Sequence, residues 1–121
     1  MPLSLQERTF WILTALAGPP LHGYGIIREV AALSEGRLSM RPGTLYGALD
    51  RLVEASLIEA DREEVVDGRL RRYYRLSVTG SATLAAETER LRRNVEAATA
   101  RLGNLTPAAP PIAPRALGGL A

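Results

Sequence analysis

The chain has 121 residues with 15 basic and 13 acidic side chains, a formal net charge of +2, which fits one compact domain plus an appendage and excludes most large enzyme folds. Hydrophobic residues make up 46% of the chain, enough to fill a core. The absence of cysteine excludes disulfides, thiolate zinc sites, iron–sulfur clusters and cysteine nucleophiles, so we expect a cytoplasmic protein without a metal or other cofactor.

Two short helices are predicted at the start of the chain. Ser4-Leu5-Gln6-Glu7 has the spacing of a capping box, which predicts a helix from near Leu5, and Gly18-Pro19-Pro20 ends it. The apolar part of this helix is too short to cross a bilayer and has no basic segment before it, so we interpret it as a core helix and not as a signal peptide. A second helix is predicted from about Gly23 to Leu33. The residues expected to face inward are Phe10, Ile12, Leu13, Leu16, Ile26, Ile27, Val30 and Leu33.

A third helix is predicted from Pro42 to near Ala55. Proline suits the first helical position, because its missing amide hydrogen has no partner there in any case. The buried side is predicted to contain Leu45, Leu49 and Leu52, and the opposite side Thr44, Gly47 and Arg51. That opposite face therefore presents small or polar groups to whatever lies outside.

Two extended runs, Leu57 to Val66 and Arg69 to Leu76, follow around Asp67-Gly68. Asp-Gly between two such runs predicts a β-hairpin, since both turn residues tolerate a positive φ. The first run is mostly acidic and the second mostly basic. Cross-strand ion pairs, each contributing roughly 0.2–1 kcal/mol, are one explanation of these charges, and contacts of the arginines with an external anion are the other.

After Ser77, a candidate cap, a long helix is predicted to run to about Leu102. A tail rich in Pro, Ala and Gly follows over residues 103–121. Apolar or small residues recur in this helix at alternating spacings of four and three, the pattern of a coiled-coil seam. Packing against a second copy and packing against the chain's own domain both explain the seam. The seam consists of Leu84, Thr88, Leu91, Val95, Ala98 and Leu102.

The predicted fold is mainly α with a β-hairpin wing: a winged helix-turn-helix over residues 1–76, a dimerisation helix over 77–102 and a disordered tail over 103–121. In a winged helix-turn-helix the third helix enters the DNA major groove and the hairpin reaches the neighbouring backbone or minor groove. The motifs that make the assignment more specific are His22-Gly23-Tyr24, Pro42-Gly43-Thr44-Leu45-Tyr46, Ala48-Leu49-Asp50-Arg51-Leu52, Leu57-Ile58 and Arg72-Tyr73-Tyr74-Arg75-Leu76-Ser77.

Together these motifs resemble the PadR family of transcriptional regulators, over roughly residues 10–102. The resemblance implies a homodimeric bacterial transcription factor, usually a repressor, that binds an inverted-repeat operator and is released by a small molecule. It also implies dimerisation through the last helix, for which the candidate residues are Leu84, Leu91, Val95, Ala98 and Leu102. In the family the tyrosine that corresponds to Tyr46 faces the DNA backbone.

The residues themselves predict a DNA surface. All the basic residues are arginines, which favour bidentate contacts with phosphate or guanine. The start of the third helix, with Arg41 and Thr44, suits a phosphate, and Gly47 leaves room for close approach to bases. Either Arg41 or Arg51 is a candidate for pairing with guanine. Tyr46 is expected either to donate its hydroxyl to a phosphate or to close the gap between helices, while Arg69 and Arg71 are expected to reach the minor groove or its phosphates.

Two departures from the family pattern affect this surface, and so does the charge balance of the chain. Arg41 replaces a small capping residue, so the third helix is expected to lack a side-chain cap. Asp50 is acidic where the family often has a basic residue, and we expect it to pair with an arginine or to point aside. The first eighty residues contain equal numbers of arginines and acids, so DNA binding has to depend on local charge patterning.

Other functions fit the sequence less well. His22 with Glu29 is not accompanied by a nucleophile motif, a phosphate-binding glycine loop or metal-ligand spacing, so we expect no enzyme and interpret His22 as a helix-start residue. A winged-helix protein-interaction module without DNA binding is the alternative function. Phe10 and Trp11 are candidates for binding a flat aromatic or lipophilic effector, and plain dimer packing is the other interpretation of Trp11.

Overall fold

The computed structural model describes residues 5–105, which form four helices and three strands. The described chain divides into two compact units between Glu89 and Arg90. Among residues 5–105, no helix combines the length and the apolar character needed to cross a membrane. The elements are α1 (Glu7–Ala15), β1 (Leu21–His22), α2 (Gly23–Leu33), α3 (Pro42–Glu54), β2 (Ile58–Val66), β3 (Arg69–Leu76) and α4 (Val78–Gly103).

The first unit has one hydrophobic core, built from the predicted inner faces of α1, α2 and α3 together with the base of the hairpin. Helical periodicity identified most of this core correctly, because side chains three or four positions apart lie on one face. The predicted winged helix-turn-helix order of three helices and a hairpin is confirmed. Side chains that are almost completely buried include Leu13, Leu16, Ile26, Leu45, Leu49 and Ile58.

Three details of the predicted helices differ in the structure. Helix α1 begins at Glu7, two residues after the predicted start near Leu5, with Gln6 as the N-cap residue and no side-chain cap bond. Ser4 of the predicted capping box lies outside the described residues. Phe10 is only half-buried. Leu33, the last residue of α2, is 39% exposed.

The hairpin turn is formed as predicted. Asp67 and Gly68 have φ values of 51° and 76°, which is the left-handed conformation that a two-residue turn with the twist of the strands requires. Strands β2 and β3 pair antiparallel from Ile58 opposite Leu76 to Val66 opposite Arg69, with a register shift between Ala60 and Arg62. The shift inserts Asp61 as an extra residue, the arrangement of a β-bulge.

A third strand, which was not predicted from the sequence, joins this sheet. Strand β1 is only two residues long, and it pairs Leu21 with Tyr74 and His22 with Tyr73. The strand order is therefore β1-β3-β2. Since His22 also occupies the N-cap position of α2, this pairing connects the hairpin directly to the start of α2.

Helix α4 begins after the predicted cap. The Ser77 Oγ accepts a hydrogen bond from the Gly80 amide at 2.9 Å and donates one to the Ser56 carbonyl at 2.6 Å. Gly80 lies so close to the Leu57 carbonyl that a β-carbon there would overlap it. The helix ends at Gly103, one residue beyond its predicted end near Leu102, and residues 106–121 of the predicted tail lie outside the described part of the chain.

Candidate nucleic-acid interface

The outer face of α3 presents the residues that were predicted to face away from the core. Thr44 and Arg51 are exposed and Gly47 is half-buried, whereas the opposite side of the helix is buried. Arg41 occupies the N-cap position in an extended conformation and its side chain makes no cap bond, as expected from its departure from the family pattern. The backbone amides at this helix start are therefore left for another acceptor.

A groove of about 660 Å³ lies between the start of α2, α3 and the tip of the hairpin. We call it the wing groove. It brings together three of the predicted DNA-binding residues, Tyr46, Arg69 and Arg71, and it is also lined by His22, Gly23 and Asp50. The other four predicted DNA-binding residues, Arg41, Thr44, Gly47 and Arg51, do not line this groove. The candidate surface therefore has two parts, the outer face of α3 and the wing groove.

Ion pairs between the strands account for the arginines nearer the base of the hairpin. Arg72 contacts Glu63 at 2.9 Å, and Arg75 contacts Glu59 at 3.0 Å and Asp61 at 2.7 Å. These hydrogen bonds raise the pKa of both guanidinium groups. Cross-strand pairing thus explains the charges of this part of the hairpin.

The two arginines nearer the turn are different. Across residues 5–105, neither Arg69 nor Arg71 forms an ion pair. Arg71 lies opposite Glu64 in the sheet register, but the Glu64 carboxylate accepts a hydrogen bond from the Tyr73 hydroxyl at 2.7 Å and lies 3.8 Å from Arg62. Since Glu64 is engaged elsewhere, Arg71 remains available to an external anion.

Tyr73 holds the outer face of the hairpin together. Its hydroxyl donates to Glu64, its ring lies 3.9 Å from the Arg62 guanidinium carbon, and the His22 ring meets it edge to face at 5.2 Å. Tyr73 thus supports the wing. Tyr74 on the opposite face is 7% exposed and belongs to the core.

Tyr46 combines features of both roles that the sequence left open. Its ring lies against Gly23 at the start of α2 and so closes the gap between α2 and α3. The side chain nevertheless remains 45% exposed, and within the described chain its hydroxyl has no hydrogen-bond partner. A free phenol hydroxyl in the wing groove is a suitable donor to a phosphate oxygen.

His22 caps α2, in agreement with its interpretation as a helix-start residue. Its Nδ1 accepts a hydrogen bond from the Gly25 amide at 3.3 Å, which requires Nδ1 to be unprotonated. Partial burial lowers the pKa of the imidazole below its ordinary value of 6.5, and the positive charges of Arg71 and Arg28 lower it further against the opposing effect of Glu64. The ring is therefore neutral at pH 7.

Asp50 lies on the side of α3 that faces the hairpin. It is exposed, it lines the wing groove, and in the described residues it forms no ion pair. Of the two arrangements expected for this acid, pairing with an arginine is not seen. The carboxylate points aside from the Thr44–Arg51 face and partly offsets the positive charge of the groove.

The candidate effector residues lie on α1, away from the wing groove. The rings of Phe10 and Trp11 meet edge to face with their centroids 5.3 Å apart. The Trp11 indole nitrogen donates to Glu7 at 3.3 Å, and the half-buried Trp11 ring also packs against the core. This arrangement leaves a partly exposed aromatic pair on the first helix.

The candidate dimerisation residues fall in both units. Leu84, in the first unit, packs against the core of that unit, so packing within the chain accounts for this residue. In the second unit Leu91 is half-buried, Ala98 is exposed, and Val95 and Leu102 are 63% and 66% exposed. Contacts among residues 5–105 thus do not cover the later part of the seam.

Comparisons with known proteins identify a family. The transcriptional regulator PadR-like family matches residues 12–86. Transcriptional regulator Rv3488 of Mycobacterium tuberculosis is 39% identical over 80 residues, covering 66% of this chain and 71% of that protein. A PadR-like transcriptional regulator from Bacillus cereus has a TM-score of 0.63 at 20% identity, with 82% of this chain and 93% of that chain covered. Bacillus subtilis PadR in complex with operator DNA has a TM-score of 0.61 at 20% identity, with 70% and 48% covered.

The lowered pKa of His22 predicts a specific dependence of stability on pH. The unfolded chain binds a proton at this residue with a pKa near 6.5, and the folded chain binds it more weakly, so stability is fully present above about pH 6.5 and is lost as the pH falls toward the folded pKa. His22→Asn keeps an acceptor for the Gly25 amide and removes the titration. Urea unfolding of both proteins between pH 7.5 and 5 should show that the free energy of unfolding falls more steeply with decreasing pH for the wild type than for His22→Asn. Parallel curves would contradict the prediction.

Proposed function

We propose that this chain, which belongs to the transcriptional regulator PadR-like family, regulates transcription by binding double-stranded DNA as a homodimer, acts in the cytoplasm and is not an enzyme. The observation that carries the proposal is the wing groove, where two arginines and a tyrosine hydroxyl converge that have no ion pair or hydrogen-bond partner within residues 5–105. Bacillus subtilis PadR, with which this chain shares the fold, has been solved with operator DNA, which supports the same class of ligand here.

The two parts of the surface have different tasks in this proposal. Helix α3 enters the major groove with Thr44, Gly47 and Arg51 toward the bases, and Arg41 or Arg51 pairs with guanine. The wing groove holds the adjacent DNA backbone, to which Tyr46, Arg69 and Arg71 donate hydrogen bonds. Phosphate contacts position the protein and base contacts give it sequence preference.

The proposed interface makes few phosphate contacts, which limits sequence-independent electrostatic attraction to DNA. The first eighty residues have no net charge, and Asp50 lies in the groove itself. Long-range electrostatic attraction is therefore weak, and non-specific binding is expected to be weak with it. A regulator of this kind depends on the close fit of a few arginines.

The homodimer is proposed from the second unit. Val95 and Leu102 are exposed apolar side chains at coiled-coil spacing, and about two and a half heptads containing Thr88 and Ala98 are too short to pair alone. We infer that the later part of the seam, from Leu91 onward, packs against a second copy with support from the partner's first helix, while Leu84 packs within its own chain. Two copies arranged this way read an inverted-repeat operator, and the protein represses transcription from it.

Release by an effector is proposed for the aromatic pair on α1. Phe10 and Trp11 offer ring faces and edges to a flat aromatic or lipophilic molecule. Because α1 is the element expected to meet the partner's last helix, a ligand there changes the spacing of the two DNA-binding units. Operator affinity then falls.

Arg71→Ala tests the wing groove. Loss of one phosphate contact should weaken binding to the DNA upstream of the protein's own gene and lower the slope of log K against log salt by about 0.9. Fluorescence anisotropy at several salt concentrations measures both quantities. Arg8→Ala, an exposed arginine on α1 outside the groove, is the matched control and should keep the wild-type slope. Wild-type protein that binds no duplex even at low salt would instead favour a protein-interaction module.

Val95→Asp tests the dimer. The residue is exposed within its own chain, so the variant should fold, and a buried charge at the seam should convert dimer to monomer in sedimentation velocity at micromolar concentration. Ala100→Asp places the same charge on the opposite face of α4 and should remain dimeric. A wild-type protein that sediments as a monomer, or a dimeric Val95→Asp, would refute the proposed seam.

The effector proposal is tested through Trp11, the single tryptophan of the chain. Titration with a panel of flat aromatic compounds should change its emission for at least one compound, and that compound should weaken operator binding in the anisotropy assay. Trp11→Ala should abolish the effect of that compound on DNA binding. If every compound leaves both emission and affinity unchanged, the site on α1 is a packing contact only.

A further inference from the structure

Gly23, the first residue of α2, is buried although nothing in its backbone requires glycine. Its φ does not lie in the left-handed region that only Gly36 and Gly68 occupy among the described glycines. A side chain there would instead displace a neighbour: a β-carbon would overlap the Tyr46 hydroxyl, and the three nearest atoms all belong to the Tyr46 phenol. The space that a side chain would take is filled by Tyr46.

Other glycines near the proposed interface do not show this relation. A β-carbon at Gly43 would meet nothing within 4 Å, and one at Gly47 would lie at an ordinary 3.7 Å from Arg51 Nη1. At Gly25, two residues further along α2, a β-carbon would lie 3.3 Å from the Leu21 side chain. The overlap with a proposed DNA-binding residue is thus specific to Gly23.

We propose that Gly23 is a positioning residue for Tyr46: the missing side chain at the start of α2 seats the phenol there and directs its hydroxyl into the wing groove. The inference rests on the proposed DNA binding and adds a residue that does not itself need to touch DNA. It also explains why glycine stands in the middle of His22-Gly23-Tyr24. His22 caps α2, and the Tyr46 ring from α3 packs against Gly23.

The physical argument is one of rotamer choice. Tyr46 is 45% exposed, so the core alone does not hold its ring in one orientation. A tyrosine side chain has a small number of staggered χ1 positions, and a methyl group at position 23 removes the one in which the ring lies over α2. The ring then turns outward and carries the hydroxyl away from Arg69 and Arg71, which lie in the same groove.

Stability and DNA affinity should therefore respond differently to Gly23→Ala. Alanine is a better helix former than glycine, and the colliding atoms belong to a half-exposed side chain that is able to move. The melting temperature should stay the same or rise. Operator affinity should fall roughly tenfold to a hundredfold, the usual effect of losing one hydrogen bond to a charged group. Tyr46→Phe, which keeps the ring and removes the hydroxyl, should lose affinity by a similar factor.

The decisive experiment is a double-mutant cycle with Gly23→Ala and Tyr46→Phe, read as operator affinity by anisotropy. If Gly23 acts through the Tyr46 hydroxyl, Gly23→Ala has no further effect in the Tyr46→Phe background. Gly25→Ala adds the same methyl group in the same turn against Leu21 and should bind within twofold of the wild type. Equal losses in both backgrounds, a large fall in melting temperature, or wild-type affinity in Gly23→Ala would each overturn the inference.

Rejection of the positioning role of Gly23 can be distinguished from failure of the proposed DNA binding. If the wild type binds no duplex, both ideas fall together. If the wild type binds and Arg71→Ala weakens it while Gly23→Ala does not, DNA binding in the wing groove stands and the positioning role of Gly23 is rejected.

Discussion

The short pairing of Leu21–His22 with Tyr73–Tyr74 is the contact on which the candidate interface depends. A two-stranded hairpin alone is marginally stable in water and has no fixed orientation relative to a neighbouring helix. Pairing with β1 adds a third strand, and the last residue of that strand caps α2. The hairpin, the start of α2 and the Tyr46 ring that lies on that start are held in one arrangement as a result. The wing groove exists because these three elements meet there.

The charges of the hairpin illustrate a competition between internal pairing and external binding. Exposed ion pairs contribute little stability, about 0–1 kcal/mol each, so their geometry matters here mainly because it decides which arginines remain available. The acids near the base of the hairpin engage Arg72 and Arg75. Glu64, the one acid opposite Arg71, is taken by Tyr73. Among the described residues, the hairpin arginines without an ion-pair partner are thus those nearest the turn, where the hairpin projects farthest from its base.

The two residues at the start of α2 serve the helix and the groove differently. A capping histidine loses its acceptor when it is protonated; burial lowers the pKa of His22, and the positive charges of Arg71 and Arg28 lower it further, so both causes preserve the cap. A glycine is a weak choice for a helix, yet it provides the space in which Tyr46 lies. At Gly23, packing between α2 and α3 thus takes precedence over the local preference of the helix.

The sequence by itself determined the features that arise within a few residues of each other. The helical periodicity of α2 and α3, the Asp67-Gly68 turn and the Ser77 cap were all predicted because each is a local property of the chain. The family resemblance came from motifs of the same short range, and the family match confirms it.

Tertiary structure decided the features that join distant segments. Strand β1 is too short to show any periodicity and becomes a strand only because β3 lies beside it. The identity of the unpaired arginines depended on the partner of Glu64, and the placement of Tyr46 depended on the empty space at Gly23, twenty-three positions away. No local pattern encodes such contacts, because their energy is available only after the helices and the hairpin have packed together.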